Sequence, residues 1–89
     1  MEILKRASAG TMESSDAYVE IEPGKNGLQI QVESVVLNQF GEAIDQSVRE
    51  VLAEQNIENA NVRVIDRGAL DCVLRARVET AVLRGKGEA

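Results

Sequence analysis

The spacing of apolar residues changes its period at Val35, and that change sets what kind of domain the chain can form. Before it, Ala17, Val19 and Ile21 alternate with Tyr18, Glu20 and Glu22, and Leu28, Ile30 and Val32 alternate with Gln29, Gln31 and Glu33. Period two sends successive side chains to opposite faces of a strand, so both runs predict half-buried strands. Between them, Pro23-Gly24-Lys25-Asn26-Gly27 is dense turn chemistry, and its Asn-Gly step predicts a β-hairpin. After the change, Leu37, Phe40, Ile44, Val48, Val51 and Leu52 recur at three- and four-residue steps, while Glu42, Asp45, Arg49, Glu50 and Glu54 take the other directions. That pattern predicts one long amphipathic helix ending at Gln55-Asn56. Ser34 offers a hydroxyl that can cap the first turn. Gly41 costs the helix up to ~1 kcal/mol relative to alanine unless a neighbour packs closely there.

Residues 61–85 are ambiguous. Val62 and Val64 alternate with Asn61 and Arg63, which predicts a third strand, and Asp66-Arg67-Gly68 reads as a tight turn. Residues 70–79 fit two templates: a strand with Leu70, Cys72, Leu74, Ala76 and Val78 on one face, or a helix with a stripe of Leu70, Val73, Leu74, Val78, Ala81 and Val82. The Gly-containing turn and the period-two run favour a fourth strand, followed by a short helix from about Val78 to Arg84. The expected fold class is therefore α+β. Antiparallel hairpins in ββαββ order, with a short C-terminal helix, would pack on the long helix as a two-layer sandwich.

With 89 residues the chain fits a single domain, 1–89. Residues 1–16 are expected to be a flexible lead-in and residues 17–85 the folded core, because Ala7 to Asp16 are small, polar and without period. The stretch Met1-Glu2-Ile3-Leu4-Lys5-Arg6 has no apolar h-region, so no secretory signal is expected. The longest apolar run, Val35-Val36-Leu37, is far short of the about 20 residues a membrane span needs. There is no histidine, which removes the imidazole base of Ser-His and Cys-His catalysis. One cysteine, Cys72, can neither close an internal disulfide nor anchor a thiolate zinc site alone, and an unstapled small domain suits the cytoplasm. A formal net charge of −5 and 2% aromatic residues argue against nucleic acid as a partner. The basic residues gather late, at Arg63, Arg67, Arg75, Arg77, Arg84 and Lys86, where they could meet an acidic group.

One segment concentrates small hydroxyl chemistry: Gly10-Thr11-Met12-Glu13-Ser14-Ser15-Asp16. An exposed serine there can accept a phosphodiester-linked group, with Glu13 and Asp16 as local recognition charges, or the segment can be an ordinary Ser-rich turn. Followed by Val19 and Ile21, it resembles the N-terminal motif of the citrate lyase acyl carrier protein (gamma chain) family. Gln39-Phe40-Gly41-Glu42-Ala43-Ile44 and Gly68-Ala69-Leu70-Asp71-Cys72-Val73-Leu74-Arg75-Ala76-Arg77-Val78-Glu79 resemble the same family, in the same order, so the likeness runs from about Ala9 to Arg84.

The resemblance implies a non-catalytic carrier. Ser14 would bear a phosphoribosyl-dephospho-CoA prosthetic group through a phosphodiester, with Ser15 as a second hydroxyl beside it. The thiol of that arm would carry acetyl and citryl thioesters between an alpha (acyl transferase) and a beta (citryl lyase) subunit, in the cleavage of citrate to acetate and oxaloacetate. A prosthetic-group transferase would attach the arm. Alternatives are the carrier of a related complex, citramalate lyase or malonate decarboxylase, and a small unmodified interaction module. On the residues alone, Cys72 is expected on the inner face of a strand rather than as an acyl-bearing thiol. Arg75 and Arg77, outward together on that strand, could meet a phosphate of the arm or a partner carboxylate. The acidic helix face could steer docking onto basic partners, or simply be solvated.

Overall fold

The computed structural model describes residues 2–34 and 37–87, except for the side chains of 37–40. The elements are β1 (Ala7–Gly10), β2 (Ala17–Pro23), β3 (Leu28–Ser34), α1 (Leu37–Glu54), β4 (Ala60–Asp66) and α2 (Asp71–Gly85). The α+β class holds, as a four-stranded sheet under two helices. Three expectations within it are corrected.

The first concerns the hairpin. Strand order is β1-β2-β4-β3, with β1/β2 and β2/β4 antiparallel and β3/β4 parallel, so the sheet is mixed and β2 and β3 never pair. The cause is α1. An 18-residue helix carries the chain back across one face of the sheet, and such a crossover returns the next strand parallel to the one before it. Strand β4 slots between β2 and β3, pairing along its whole length with both, from Pro23 and Leu28 opposite Ala60 to Ala17 and Ser34 opposite Asp66. The Pro23–Gly27 segment therefore wraps the start of β4. Asn59 Oδ1 accepts from the Gly27 amide at 2.8 Å, and a Cβ on Gly24 would come within 3.0 Å of the Ala60 backbone.

The second concerns residues 70–77, which are helix, not strand. In α2 the buried positions are Leu74, Val78, Ala81, Val82 and Gly85, one stripe at helical spacing. Asp71 in the first turn and Arg84 in the last complement the helix dipole, and Asp71 pairs with Arg75 one turn on at 2.6 Å. Cys72 is accordingly exposed on the helix surface, not buried in a strand. With α2 in place of the last strand, the ββαββ order becomes βββαβα.

The third concerns the lead-in. Residues 7–10 form edge strand β1, paired with Ile21 to Tyr18 of β2. Ile3 is buried, and the amides of Leu4 and Lys5 donate to the Gly85 carbonyl, so the N-terminal segment closes the end of α2. The small side chains of β1 give it no amphipathic period of its own. It is held by ladder bonds and by α2 packing over Ala9.

Both helices cover one face of the sheet. Ala17, Val19, Ile21, Ala60, Val62 and Val64 meet Ile44, Val48, Val51, Leu52, Leu74, Val78, Ala81 and Val82 in a single core. The other face is open and polar, crossed by an ion-pair chain Arg6–Glu20–Arg63–Glu33. Ser34 ends β3 and donates to Asp66 Oδ2 at 2.8 Å. The start of the helix that it was expected to cap, and the side chains of Leu37 and Phe40 in the apolar stripe, lie outside the described residues.

Candidate functional site

The Thr11–Asp16 segment joins β1 to β2 as the loop of a hairpin. It can turn so tightly because Gly10 sits at φ +91°, where a Cβ would be driven into the Ala17 carbonyl oxygen and would lie 3.1 Å from Arg77 Cδ. Within the loop, the Glu13 amide donates to Thr11 Oγ1 at 3.2 Å and the Asp16 amide donates to the Glu13 carbonyl at 3.2 Å. Ser14 and Ser15 are thus the two central residues of a β-turn, with Ser15 at φ +66°.

Asp16 locks this turn from beneath. Its Oδ2 accepts from Thr11 Oγ1 at 2.7 Å and its Oδ1 from the Ala17 amide at 2.7 Å. The Arg77 guanidinium, 61 residues away on α2, donates Nε to Oδ1 and Nη2 to Oδ2, both at 2.9 Å. This fork-to-fork pair fixes orientation as well as distance. Four donors on one carboxylate, with the Arg77 bonds leading and Thr11 and Ala17 following, hold Asp16 well below the usual carboxylate range, and Asp16 in turn raises Arg77. A second brace comes from β4. The Ser15 amide donates to the Arg67 carbonyl at 2.8 Å, and the Arg67 amide donates to the Asp16 carbonyl at 2.9 Å. Asp66, buried, holds that corner by accepting from Ser34 Oγ and from the Ala69 amide.

Ser14 is exposed at the apex of this braced turn, and no described residue bonds its hydroxyl. The site is therefore a free nucleophilic oxygen on a fixed base, rather than the floppy tether that the composition of residues 1–16 suggested. Among the described residues no side chain bonds the Ser14 hydroxyl to activate it: the Asp16 carboxylate is engaged by four donors, and the sequence has no histidine. Asp16, read from sequence as a recognition charge, is instead the keystone of the loop. Its Arg77 partner carried no local signal.

Arg75 and Arg77 do not act together. Arg77 serves the loop, while Arg75, steadied by Asp71 on its own helix, clasps α2 to α1 through Glu50 at 2.5 Å and Ser47. Ser47 Oγ donates to Asp71 Oδ1, and that bond first, then Arg75, lowers the Asp71 pKa. Two of the four residues of the acidic face, Asp45 and Glu50, are neutralised by Arg49 and Arg75. A groove of about 420 Å³ on the open face of the sheet, lined by Arg6, Glu20, Gln31 and Arg63, includes no loop residue. Among the described residues no cluster of His, Cys, Asp or Glu could hold a metal ion, and no helix is long and apolar enough to cross a membrane.

The Asp16 lock makes a pH prediction. A carboxyl whose folded pKa is depressed adds stability above its unfolded pKa of about 3.9, and that stability is lost as pH falls. Asp16→Asn should therefore melt lower than the parent at pH 7, and the gap should begin to narrow below about pH 4 and keep narrowing as pH falls towards the depressed folded pKa. Thermal melts of both proteins from pH 7 to pH 3 check this. A gap independent of pH would mean that the charge of Asp16 is not what holds the loop.

Known proteins resemble the chain over nearly its whole length. A family model described as the acyl carrier protein "Malonate decarboxylase delta subunit (MdcD)" matches residues 4–85. The citrate lyase acyl carrier protein 2 of Salmonella typhimurium is 53% identical over 85 residues, covering 94% of this chain and 88% of that protein. The citrate lyase acyl carrier protein of Haemophilus influenzae (strain Rd) is 53% identical over 89 residues, covering 100% of this chain and 93% of that one. Among solved structures, a chain in the crystal structure of a Pseudomonas malonate decarboxylase hetero-tetramer in complex with malonate aligns with a TM-score of 0.81 at 28% identity, covering 94% of this chain and 87% of that one. Leishmania major mevalonate kinase aligns with a TM-score of 0.52 at 12% identity, a likeness of fold alone.

Proposed function

Because the chain belongs to the acyl carrier protein family of the malonate decarboxylase delta subunit and the citrate lyase carriers, we propose that it is the acyl carrier of a citrate lyase, with Ser14 as its attachment point. It is a carrier and not itself a catalyst. The observation that supports the site is the Ser14 hydroxyl, exposed and unbonded at the apex of a turn that Asp16, Arg77 and Arg67 hold still. A group fixed at one outward point of a rigid domain can be offered in turn to two active sites, and tethering keeps its effective concentration near about mM.

The group proposed is phosphoribosyl-dephospho-CoA. When bound, it supplies a terminal thiol that holds acetyl or citryl units as thioesters. Attachment forms an Oγ–P bond on Ser14 and breaks a P–O bond of an activated phosphoribosyl donor. The donor's leaving group departs with the electron pair, and the hydroxyl proton passes to a base. The prosthetic-group transferase is the proposed source of that base, since no carboxylate among the described residues bonds the Ser14 hydroxyl. The site fits such a group: the open apex sets no limit on its size, and the turn beneath does not depend on the Ser14 hydroxyl. The partners proposed are the alpha acyl transferase and beta citryl lyase subunits. The exposed, unpaired Cys72 suits the reducing cytoplasm.

The test is the intact mass of the chain produced with its maturation enzymes against the chain produced alone. A single increment, mapped by peptide analysis to Ser14 and not Ser15, is expected. A matured, working complex whose carrier shows no increment overturns the proposal. The alternative of a malonate decarboxylase carrier draws on the hetero-tetramer likeness and uses the same serine. Reconstitution with citrate lyase subunits separates the two, because only a carrier that docks on them restores citrate cleavage.

A further inference from the structure

Six of the seven arginines are engaged. Arg6, Arg49, Arg63, Arg75 and Arg77 pair with carboxylates, and Arg84 donates to the Ser8 carbonyl at 2.9 Å. Arg67 is the exception: it is exposed, and among the described residues its guanidinium has no hydrogen bond or ion pair. It is also the arginine whose backbone is bonded to the loop on both sides, to the Ser15 amide and the Asp16 carbonyl. Its backbone is thereby pinned against the turn beside Ser15, and Ser14 is the next residue of that turn, its Cα about 3.8 Å from that of Ser15.

We propose that Arg67 is the anion-binding residue of the attachment loop, receiving the phosphate oxygens of the phosphodiester formed on Ser14. The inference rests on the attachment reading above. A phosphodiester on Ser14 would carry a full negative charge next to the exposed Glu13 and above the Asp16 carboxylate. Arg77 has committed two of its donors to Asp16, which leaves Arg67 as the free cation of that corner. A planar guanidinium offers two parallel donors to a phosphate, a match that an ammonium lacks. An unpaired guanidinium also loses no existing partner when the anion arrives. Bound in this way, the first phosphate would set the direction in which the arm leaves the domain. Arg67 is thus a positioning residue for the arm.

The experiment uses the full chain, bare and matured, with 15N-labelled arginine. On maturation, hydrogen exchange at the Arg67 Nε–H should slow by about tenfold, the protection expected of a charge-assisted hydrogen bond, while Arg77 stays as it was. Arg67→Gln should load at Ser14 about tenfold more slowly, with an unchanged melting temperature, and Arg67→Lys should recover part of that rate. Raising ionic strength should narrow the difference between parent and variant. A parent loaded at Ser14 whose Arg67 exchange does not change, together with a glutamine variant that loads at the parent rate, overturns the role of Arg67 and leaves the attachment reading intact. A parent that never loads at Ser14 overturns both.

Discussion

Ser14→Ala should leave the fold untouched and abolish the activity of the assembled complex, by at least about a thousandfold relative to the parent. The fold is expected to survive because the side chain is exposed and its hydroxyl bonds no described residue, while the turn is held by Thr11, Asp16, Arg67 and Arg77. Surface changes of that kind shift stability by less than about 0.5 kcal/mol. Activity is lost for a different reason. Without the Oγ there is no atom on which to build the arm, and a carrier without an arm ferries nothing. Ser15→Ala is the control. Ser15 lies in the left-handed region, and it contributes its amide, not its hydroxyl, to the bond with Arg67. The alanine variant at 15 should still be loaded. Circular dichroism, intact mass and citrate cleavage by the reconstituted complex together read the outcome. Full activity of Ser14→Ala would remove the site assignment.

The largest effect on the fold itself is expected at Gly10. Alanine there meets two obstacles. A residue at φ +91° is strained whatever the space around it, and the new Cβ would collide with a backbone carbonyl that cannot swing aside without breaking the β1–β2 ladder. The expected loss is about 3 kcal/mol or more, a large part of the roughly 5–10 kcal/mol that holds a domain of this size. Gly68→Ala is a matched reference. It has φ +89° but nothing within 4 Å of the added carbon, so it carries only the backbone strain of about 1–2 kcal/mol. Urea unfolding of the two variants against the parent, at constant m, isolates the collision. Equal losses would mean that the hairpin yields at no cost. Because the loop hangs from this residue, Gly10→Ala should also slow attachment at Ser14.

Local periodicity carried a good part of this architecture. Strands β2 and β3 and helix α1 announce themselves, because each buries one side only and the alternation of Val19 with Glu20, or the spacing of Ile44, Val48 and Leu52, reports which. The small residues of 10–16 offer a Ser-rich turn as one reading, but nothing in them reports the bracing that fixes it. What was not legible depends on partners distant in the chain. β1 is a strand because β2 and α2 make it one, and Ala-Ser-Ala-Gly has no pattern to show this. Residues 70–79 satisfy both periods, and the choice is made by the α1 surface, where Arg75 finds Glu50. The Asn26-Gly27 turn signal was real but pointed to the wrong neighbour, since its geometry serves the start of β4. The Asp16–Arg77 lock joins positions 61 apart, beyond the reach of any local rule.

The position of β4 between two earlier strands has a consequence for how the chain is made. Until residues 60–66 have left the ribosome, β2 and β3 are present without the strand that separates them, each with a bare edge and joined by a sequence that favours closing them on each other. The nascent chain therefore faces a misregistered hairpin as its nearest trap, and the native order requires that hairpin to stay open, or to reopen, for a late arrival. Helix α2, which covers β1 and β2, can dock only after that, once residues 71–85 have emerged as well.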